Sequence, residues 1–340
     1  MFKQKIKTVY FFIAFVALFF LFNACNSCRK RPFYEADISG IEIDSLRIFR
    51  YEEVLFNVNP FVLYEELVPH KEEFYFFLGE GIHDDENQQM LFDYVTDPLL
   101  IELYNDSREV WADTDELERS LENMFRYYRH HFPEGEIPAI YTYISGIDYN
   151  LPVILEGDTL IIAIDNYLGS DYHYYEKLGI PRYISQWMKP ASVTADIVRI
   201  YAHKHLQDNS HRQENLLDNM ITEGRKLYFL DCMIPHAHDS LKIFYTGSQL
   251  SWMENNEAFV WTYIIDNDLL YSTDHNAINK FTGRAPFTSV FSRHSAPQTG
   301  SWIGWQIVRE YMRRNPELSL QDLMAETDAR EILRESRYRP

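Results

Sequence analysis

The sequence predicts an α+β protein with a mainly helical body and a small antiparallel sheet. Long stretches repeat apolar residues at helical spacing, whereas only a few short segments alternate apolar and polar residues as a strand does. Glycine is scarce, at 13 of 340 residues, which disfavours an architecture rich in tight turns. Helical segments lie before and after the main strand segments instead of alternating with them. That order favours α+β over α/β.

The first 24 residues are typical of a secretory signal peptide. Lys3, Lys5 and Lys7 precede an apolar run of about 14 residues, which is shorter than the roughly 20 that a membrane-spanning helix needs. The run ends at Ala24-Cys25 and resembles the lipobox of bacterial lipoproteins, which implies that Cys25 is the lipidation site. An uncleaved anchor helix is the alternative. Either arrangement tethers the body to a membrane outside the cytoplasm.

The charge limits the partners that the protein can have. Removing residues 1–24 would leave 316 residues (340 − 24), and the net charge would change from −19 to about −22 because three lysines and no acid are lost. So acidic a chain is a poor partner for nucleic acid or for an anionic lipid surface. We therefore expect contacts with the membrane through the lipid anchor and with other envelope or secretion-machinery proteins.

Residues 25–36 are interpreted as a tether. Arg29, Lys30 and Arg31 make it basic, whereas surface-exported lipoproteins of the Bacteroidetes type often carry acids after the cysteine. We therefore predict a periplasm-facing protein on the inner or outer membrane. Cys28 and Cys232 would be the remaining cysteines. Their wide separation does not compel a disulfide and does not fit a thiolate metal site.

Residues 37–340 are predicted to form one globular domain, with a helical half to about residue 135 and a second half over 136–340. A strand is predicted at 41–49, and helices follow between 59 and 132, with breaks near Pro60, Gly79–Gly81 and Asp97-Pro98. Strands at 139–147 and 158–165 are predicted to pair antiparallel. The later helices are predicted at 181–190, 192–206, 214–231, 252–270, 300–313 and 318–335.

Histidines and a glutamate on two successive predicted helices invite a zinc interpretation. In the HExxH motif, two histidines one helical turn apart bind the metal and the glutamate activates water. If His203 is the second histidine, Arg199 stands at the first ligand position and Ile200 at that of the base, and neither can serve. Glu223 follows where a third ligand would lie. We interpret Arg199, His203 and Glu223 as a former metal position with an Arg199–Glu223 ion pair.

We therefore expect no catalytic residue, no metal and no cofactor. Two alternatives stay open: a working zinc hydrolase, and a noncatalytic metal site that recruits His205 or His211. No GxSxG surrounds Ser248, and neither GxGxxG nor a P-loop occurs. The tyrosine-rich segment 169–183 is a candidate binding surface, with ordinary loop packing as the alternative.

Several short motifs, in order, resemble the GldB gliding-motility lipoproteins of Bacteroidetes, a family distantly similar to gluzincin-type zinc peptidases. These motifs are the lipobox, DNYLG at 165–169, LGIPRY at 178–183, Glu223-Gly224, NDLLYS at 267–272, GSWIGW at 300–305 and SRYRP at 336–340. The resemblance implies a degenerate, peptidase-like helical core and a role in gliding motility and the linked type IX secretion apparatus. We expect a noncatalytic envelope component. The alternative is an envelope metallohydrolase with an atypical metal site.

Overall fold

A computed structural model describes residues 32–206 and 214–340. Every helix and strand of the described residues belongs to the compact unit Ala36–Pro340. The predicted signal peptide, Cys25, Cys28 and His211 lie outside the described residues. Within the described ranges, none of the helices combines the length and apolar character that crossing a bilayer requires.

Four strands form one mixed sheet. They are β1 (Ile48–Arg50), β2 (Ala139–Tyr143), β3 (Val153–Glu156) and β4 (Thr159–Ala163), in the spatial order β1-β2-β4-β3. β2 pairs in parallel with both β1 and β4, and only β3 pairs antiparallel, with β4. The predicted first strand, at 41–49, shrinks to the three residues of β1.

The predicted antiparallel pairing of 139–147 with 158–165 is wrong, because these segments hold β2 and β4, which run parallel. The tight turn at Gly157, whose φ is +57°, joins β4 to β3 and not to β2. Sequence analysis missed β3. The hairpin of β3 and β4 reverses the chain direction before β4 begins. β4 therefore returns in the direction of β2.

Sixteen α-helices account for most of the described residues, so the predicted mainly helical α+β class is confirmed. They are α1 (Tyr51–Leu55), α2 (Leu63–Leu67), α3 (Tyr75–Leu78), α4 (Asp85–Thr96), α5 (Pro98–Val110), α6 (Asp115–His131), α7 (His173–Lys177), α8 (Arg182–Ser185), α9 (Val193–Leu206), α10 (Leu216–Met233), α11 (Asp239–Ile243), α12 (Gly247–Asp266), α13 (His275–Thr282), α14 (Thr299–Arg314), α15 (Leu320–Ala325) and α16 (Ala329–Ser336).

Side-chain caps explain several of the boundaries. Asn215 and Asp218 form a reciprocal capping box that begins α10, and Thr246 with Gln249 begins α12 five residues before the predicted start at 252. The predicted helix at 318–335 is two helices, because the chain leaves helical geometry after α15 and the Asp328 side chain starts α16 by accepting two backbone N–H bonds.

The central helix of the second half is α10, which is buried over most of its surface. It packs against α14 at Gly224 and Gly304, where an added Cβ at either glycine would lie within 2.4 Å of the other helix's backbone. α9 also packs against α10. These contacts bring α9, α10 and the beginning of α14 together around the candidate site.

Candidate functional site

The three residues of the predicted former metal position line one small cavity. Arg199 and His203 lie one turn apart on α9, and Glu223 lies on the adjacent α10. The cavity has a volume of about 190 Å³, and Lys226 and Ser301 also contribute to its wall.

The ion pairs at this position differ from the predicted one. Arg199 Nη1 lies 3.3 Å from Asp196 Oδ1, and Glu223 Oε1 lies 2.7 Å from Lys226 Nζ. Each partner stands three residues away on the same helix, where side chains meet readily. A direct Arg199–Glu223 pair is not among the salt bridges of residues 32–206 and 214–340. Glu223 acts on Arg199 only as a nearby charge.

The Arg199 guanidinium is held in place from several directions. Its Nη2 donates to the backbone carbonyls of Leu241 and Lys242 at the end of α11. Its Cζ lies 3.6 Å from the centroid of the Phe244 ring, a close cation–π contact. Burial lowers the pKa of Arg199 to about 10, although the Asp196 carboxylate opposes the shift. The guanidinium therefore stays charged at neutral pH.

Arg199 also lies in the wall of a larger cavity of about 330 Å³, which we call the large cavity; the small cavity is the one described above. Both are lined by Arg199, Phe244, Arg284 and Gln298. Ile200, at the predicted base position, lines the large cavity.

Phe244 is the aromatic residue that lines both cavities. The Arg284 Cζ lies 5.1 Å from its ring centroid, and the Trp187 ring lies 5.2 Å away. Phe244 has a φ of +60°, which is unusual for a bulky residue, and so does Gln298, with a φ of +48°. Such backbone strain is more frequent at ligand sites than elsewhere.

Two residues that line the large cavity each carry a buried polar atom that has no partner among the described residues. Asn166 is 1% exposed, and its Nδ2 donates to Ser145 Oγ while its Oδ1 accepts nothing. The Trp187 Nε1–H is likewise without an acceptor. The carboxylate of Asp165 orients this region by accepting from Ser145 and from the Ile147 amide. An unpaired acceptor and an unpaired donor beside a cavity are the groups a bound molecule would satisfy.

The charged side chains that line the large cavity are Asp196, Arg199 and Arg284. Burial raises the pKa of Asp196, whereas the two arginines and the Tyr167 hydroxyl, which donates to Asp196 Oδ2 at 3.0 Å, lower it. Two cations against one carboxylate give the site an excess positive charge, in a chain whose net charge is −19.

In the described part of the chain, no three His, Cys, Asp or Glu residues are grouped as metal ligands would be. The expected absence of a metal stays a prediction. The ligand set that would include His211 falls outside the described residues.

Three of the four tyrosines in the segment 169–183 form hydrogen bonds within the molecule. The Tyr172 and Tyr174 hydroxyls donate to Asp106 and Glu102 on α5, each at 2.6 Å, and Tyr175 is buried with its hydroxyl on the Asp165 carbonyl. Tyr183 alone of the four predicted tyrosines lines the large cavity. The segment thus positions the wall of the large cavity, and three of its tyrosines are engaged within the molecule.

His205, the alternative ligand, does not line either cavity. It stacks on Phe132 at 4.0 Å between ring centroids, and its Nε2 lies 3.3 Å from the Tyr128 hydroxyl. Burial, with a smaller effect of Lys204, lowers its pKa to about 4 from an ordinary value near 6.5. The unfolded chain therefore binds a proton between pH 6.5 and 4 that the folded state does not. Folding stability must fall as pH decreases through that window.

We expect His205→Phe to reduce the loss of stability on acidification. The phenyl ring keeps the stack on Phe132 and cannot bind a proton. Between pH 7 and 4.5 the variant should lose about 1 kcal/mol less than the wild type, a small figure because the imidazole is partly exposed. Urea unfolding at the two pH values measures the difference. Equal losses in the two proteins would show that His205 does not titrate in this way.

Sequence analysis missed Trp187, Phe244, Arg284 and Gln298. They come from four separate segments, and none belongs to a periodic or catalytic pattern. Asn166 could have been found, because it lies in the DNYLG motif at 165–169 directly after a strand.

Comparison with known proteins agrees with the motifs of the second half. The model of the family described as gliding motility protein GldB matches residues 33–340. No curated protein and no solved structure is significantly similar to the chain. The distant similarity to zinc peptidases stays a prediction. The match covers nearly the whole chain, and the chain therefore belongs to the lipoprotein family of gliding motility protein GldB.

Proposed function

We propose that the protein is a lipid-anchored, periplasm-facing component of the gliding and type IX secretion apparatus, or of envelope assembly more generally, and that it works by binding and not by catalysis. The observation that carries this proposal is the family match over residues 33–340. The lysine-rich start, the apolar run and Ala24-Cys25 support the anchor at Cys25.

The noncatalytic role is supported by the contents of the small cavity. A hydrolytic zinc needs about three protein ligands and an open water position. At the first ligand position stands Arg199, a cation bound to Asp196 and to two carbonyls. A guanidinium fixed there repels a metal cation. Ile200, at the base position, cannot accept a proton.

Replacing the lipidated cysteine tests the proposal. Cys25→Ser should lose acyl labelling and leave the membrane fraction, because a serine hydroxyl cannot take the thioether-linked lipid. Colony spreading, or secretion of type IX cargo, should fall to the level of a strain lacking the protein. Cys28→Ser is the matched control and should label, localise and function as the wild type does.

Two results would contradict the proposal. Continued acyl labelling of Cys25→Ser would reject the anchor, and normal spreading and secretion by a strain lacking the protein would reject the role in gliding and type IX secretion. Metal analysis of the purified wild type separates the competing metallohydrolase. We expect no stoichiometric zinc, whereas about one equivalent bound through His203 and Glu223 would support the enzyme.

A further inference from the structure

We propose that the two cavities that share Phe244 form a binding site for a small anionic ligand, a carboxylate or phosphate group carried on a polar body of about sugar size. The anion would lie against Arg284 and the beginning of α14, and the body would occupy the large cavity. The inference rests on the proposed binding role and names the class of ligand for it.

The beginning of α14 supplies hydrogen-bond donors that the protein does not use. Thr299, Gly300 and Ser301 are buried, and their backbone N–H groups have no acceptor among the described residues. No side chain caps this helix. The peptide dipoles of the 16 residues of α14 are aligned along the helix, which gives its N-terminus a partial positive charge. Buried, unsatisfied N–H groups at a helix N-terminus are a ready-made anion site.

A second, independent observation lies at the same place. The Ser301 hydroxyl is also without a partner among the described residues, although Ser301 is only 1% exposed, and Ser301 lines the small cavity. Leaving a buried hydroxyl unpaired costs free energy, and an oxyanion bound beside Ser301 would accept a hydrogen bond from it. Gln298, which precedes α14, lines both cavities.

Arg284 provides the charge. Its guanidinium lies over Phe244 and lines both cavities, yet it forms no hydrogen bond or salt bridge with any residue in 32–206 or 214–340. Arg199, by contrast, is already bound to Asp196 and backbone carbonyls. Arg199 thus holds the cavity wall in place, whereas the N–H groups of Arg284 are available to a ligand. Arginine presents such donors in the planar fork that matches carboxylate and phosphate.

The large cavity suits a polar body of modest size. Its volume of about 330 Å³ lies at the lower end of the range for small-molecule sites. Trp187 and Tyr183 provide flat apolar surfaces, while Asn166 Oδ1 and Trp187 Nε1 offer one acceptor and one donor. A body with hydroxyl or amide groups can satisfy both atoms, whereas a purely apolar body would leave them unpaired.

Calorimetric titration of the purified full chain tests the site with three probes: glucuronate as carboxylate, glucose 6-phosphate as phosphate and glucose as the neutral analogue. We expect at least one anionic probe to bind and glucose not to bind under the same conditions. Which anion binds more tightly distinguishes a sugar acid from a sugar phosphate. Arg284→Gln should weaken binding about tenfold or more, because a charge-assisted hydrogen bond is lost.

Arg293→Gln is the matched control, because Arg293 is an exposed arginine on the same loop that does not line either cavity. It should bind as the wild type does. Arg284 is itself exposed, so its replacement should leave folding intact, and the melting temperature of the unliganded variant verifies this. Failure of both anions to bind, equal binding of glucose, or unchanged affinity in Arg284→Gln would each overturn the site. Because the Cys25→Ser experiment does not involve the cavities, failure here leaves the anchored role standing.

Discussion

Gly304→Ala is expected to destabilise the fold by about 3 kcal/mol or more, the upper range for overpacking, because the clash is with backbone. A Cβ at position 304 would lie 1.8 Å from the Met220 carbonyl oxygen and 2.4 Å from the Met220 carbonyl carbon. Neither atom belongs to a flexible side chain, so α10 and α14 would have to separate. Separation would also displace Ser301 and the N-terminus of α14, so binding of an anionic probe should fall with stability.

Gly247→Ala provides the matched control. Gly247 is also a helical glycine, at the beginning of α12, but nothing lies within 4 Å of an added Cβ. Its replacement should be neutral or stabilise by up to about 1 kcal/mol through the unfolded state. Urea unfolding of the three proteins measures both effects. A Gly304→Ala variant as stable as Gly247→Ala would show that the helices do not cross as closely as described.

Asp231→Asn is expected to cost roughly 3–5 kcal/mol, since it leaves buried cations without their partner. The Asp231 and Lys242 side chains are both 0% exposed, and Lys242 Nζ lies 2.8 Å from Asp231 Oδ1. Arg309 reaches both Asp231 oxygens, at 2.7 and 2.8 Å, and Trp305 Nε1 donates to Oδ2 at 2.8 Å. Arg309 also pairs with Asp239, so that two acids balance two bases.

A second variant separates charge balance from hydrogen bonding. Adding Lys242→Met to Asp231→Asn removes one charge of each sign and leaves the Arg309–Asp239 pair, so the double variant should be more stable than Asp231→Asn alone. Glu310→Gln, which weakens only the partly exposed pairs of Glu310 with Arg313 and Arg314 on α14, is the control and should cost at most about 1 kcal/mol. If Asp231→Asn costs no more than Glu310→Gln, the buried network does not stabilise the fold.

Much of the local structure of this protein is determined by its sequence alone. The apolar spacing from Leu216 to Tyr228 and the Asn215–Asp218 capping box are sufficient to predict α10, because a helix is made by residues three or four apart. The order of the short motifs is sufficient to indicate the family. Helical periodicity likewise predicts α9, whereas the zinc-peptidase frame that placed Arg199 opposite Glu223 stays a prediction.

Only the tertiary structure determines which strands pair, which ion pairs form and which residues line the large cavity. β4 is predicted as a strand by its own residues, but whether it pairs in parallel with β2 depends on β3, which competes for its other edge. Arg199 had two acids within reach, and the one on its own helix, Asp196, lay closer than Glu223. Trp187, Phe244, Arg284 and Gln298 meet at one wall although they are far apart in the sequence. Local sequence patterns cannot predict this proximity, because the packing of whole helices brings these residues together.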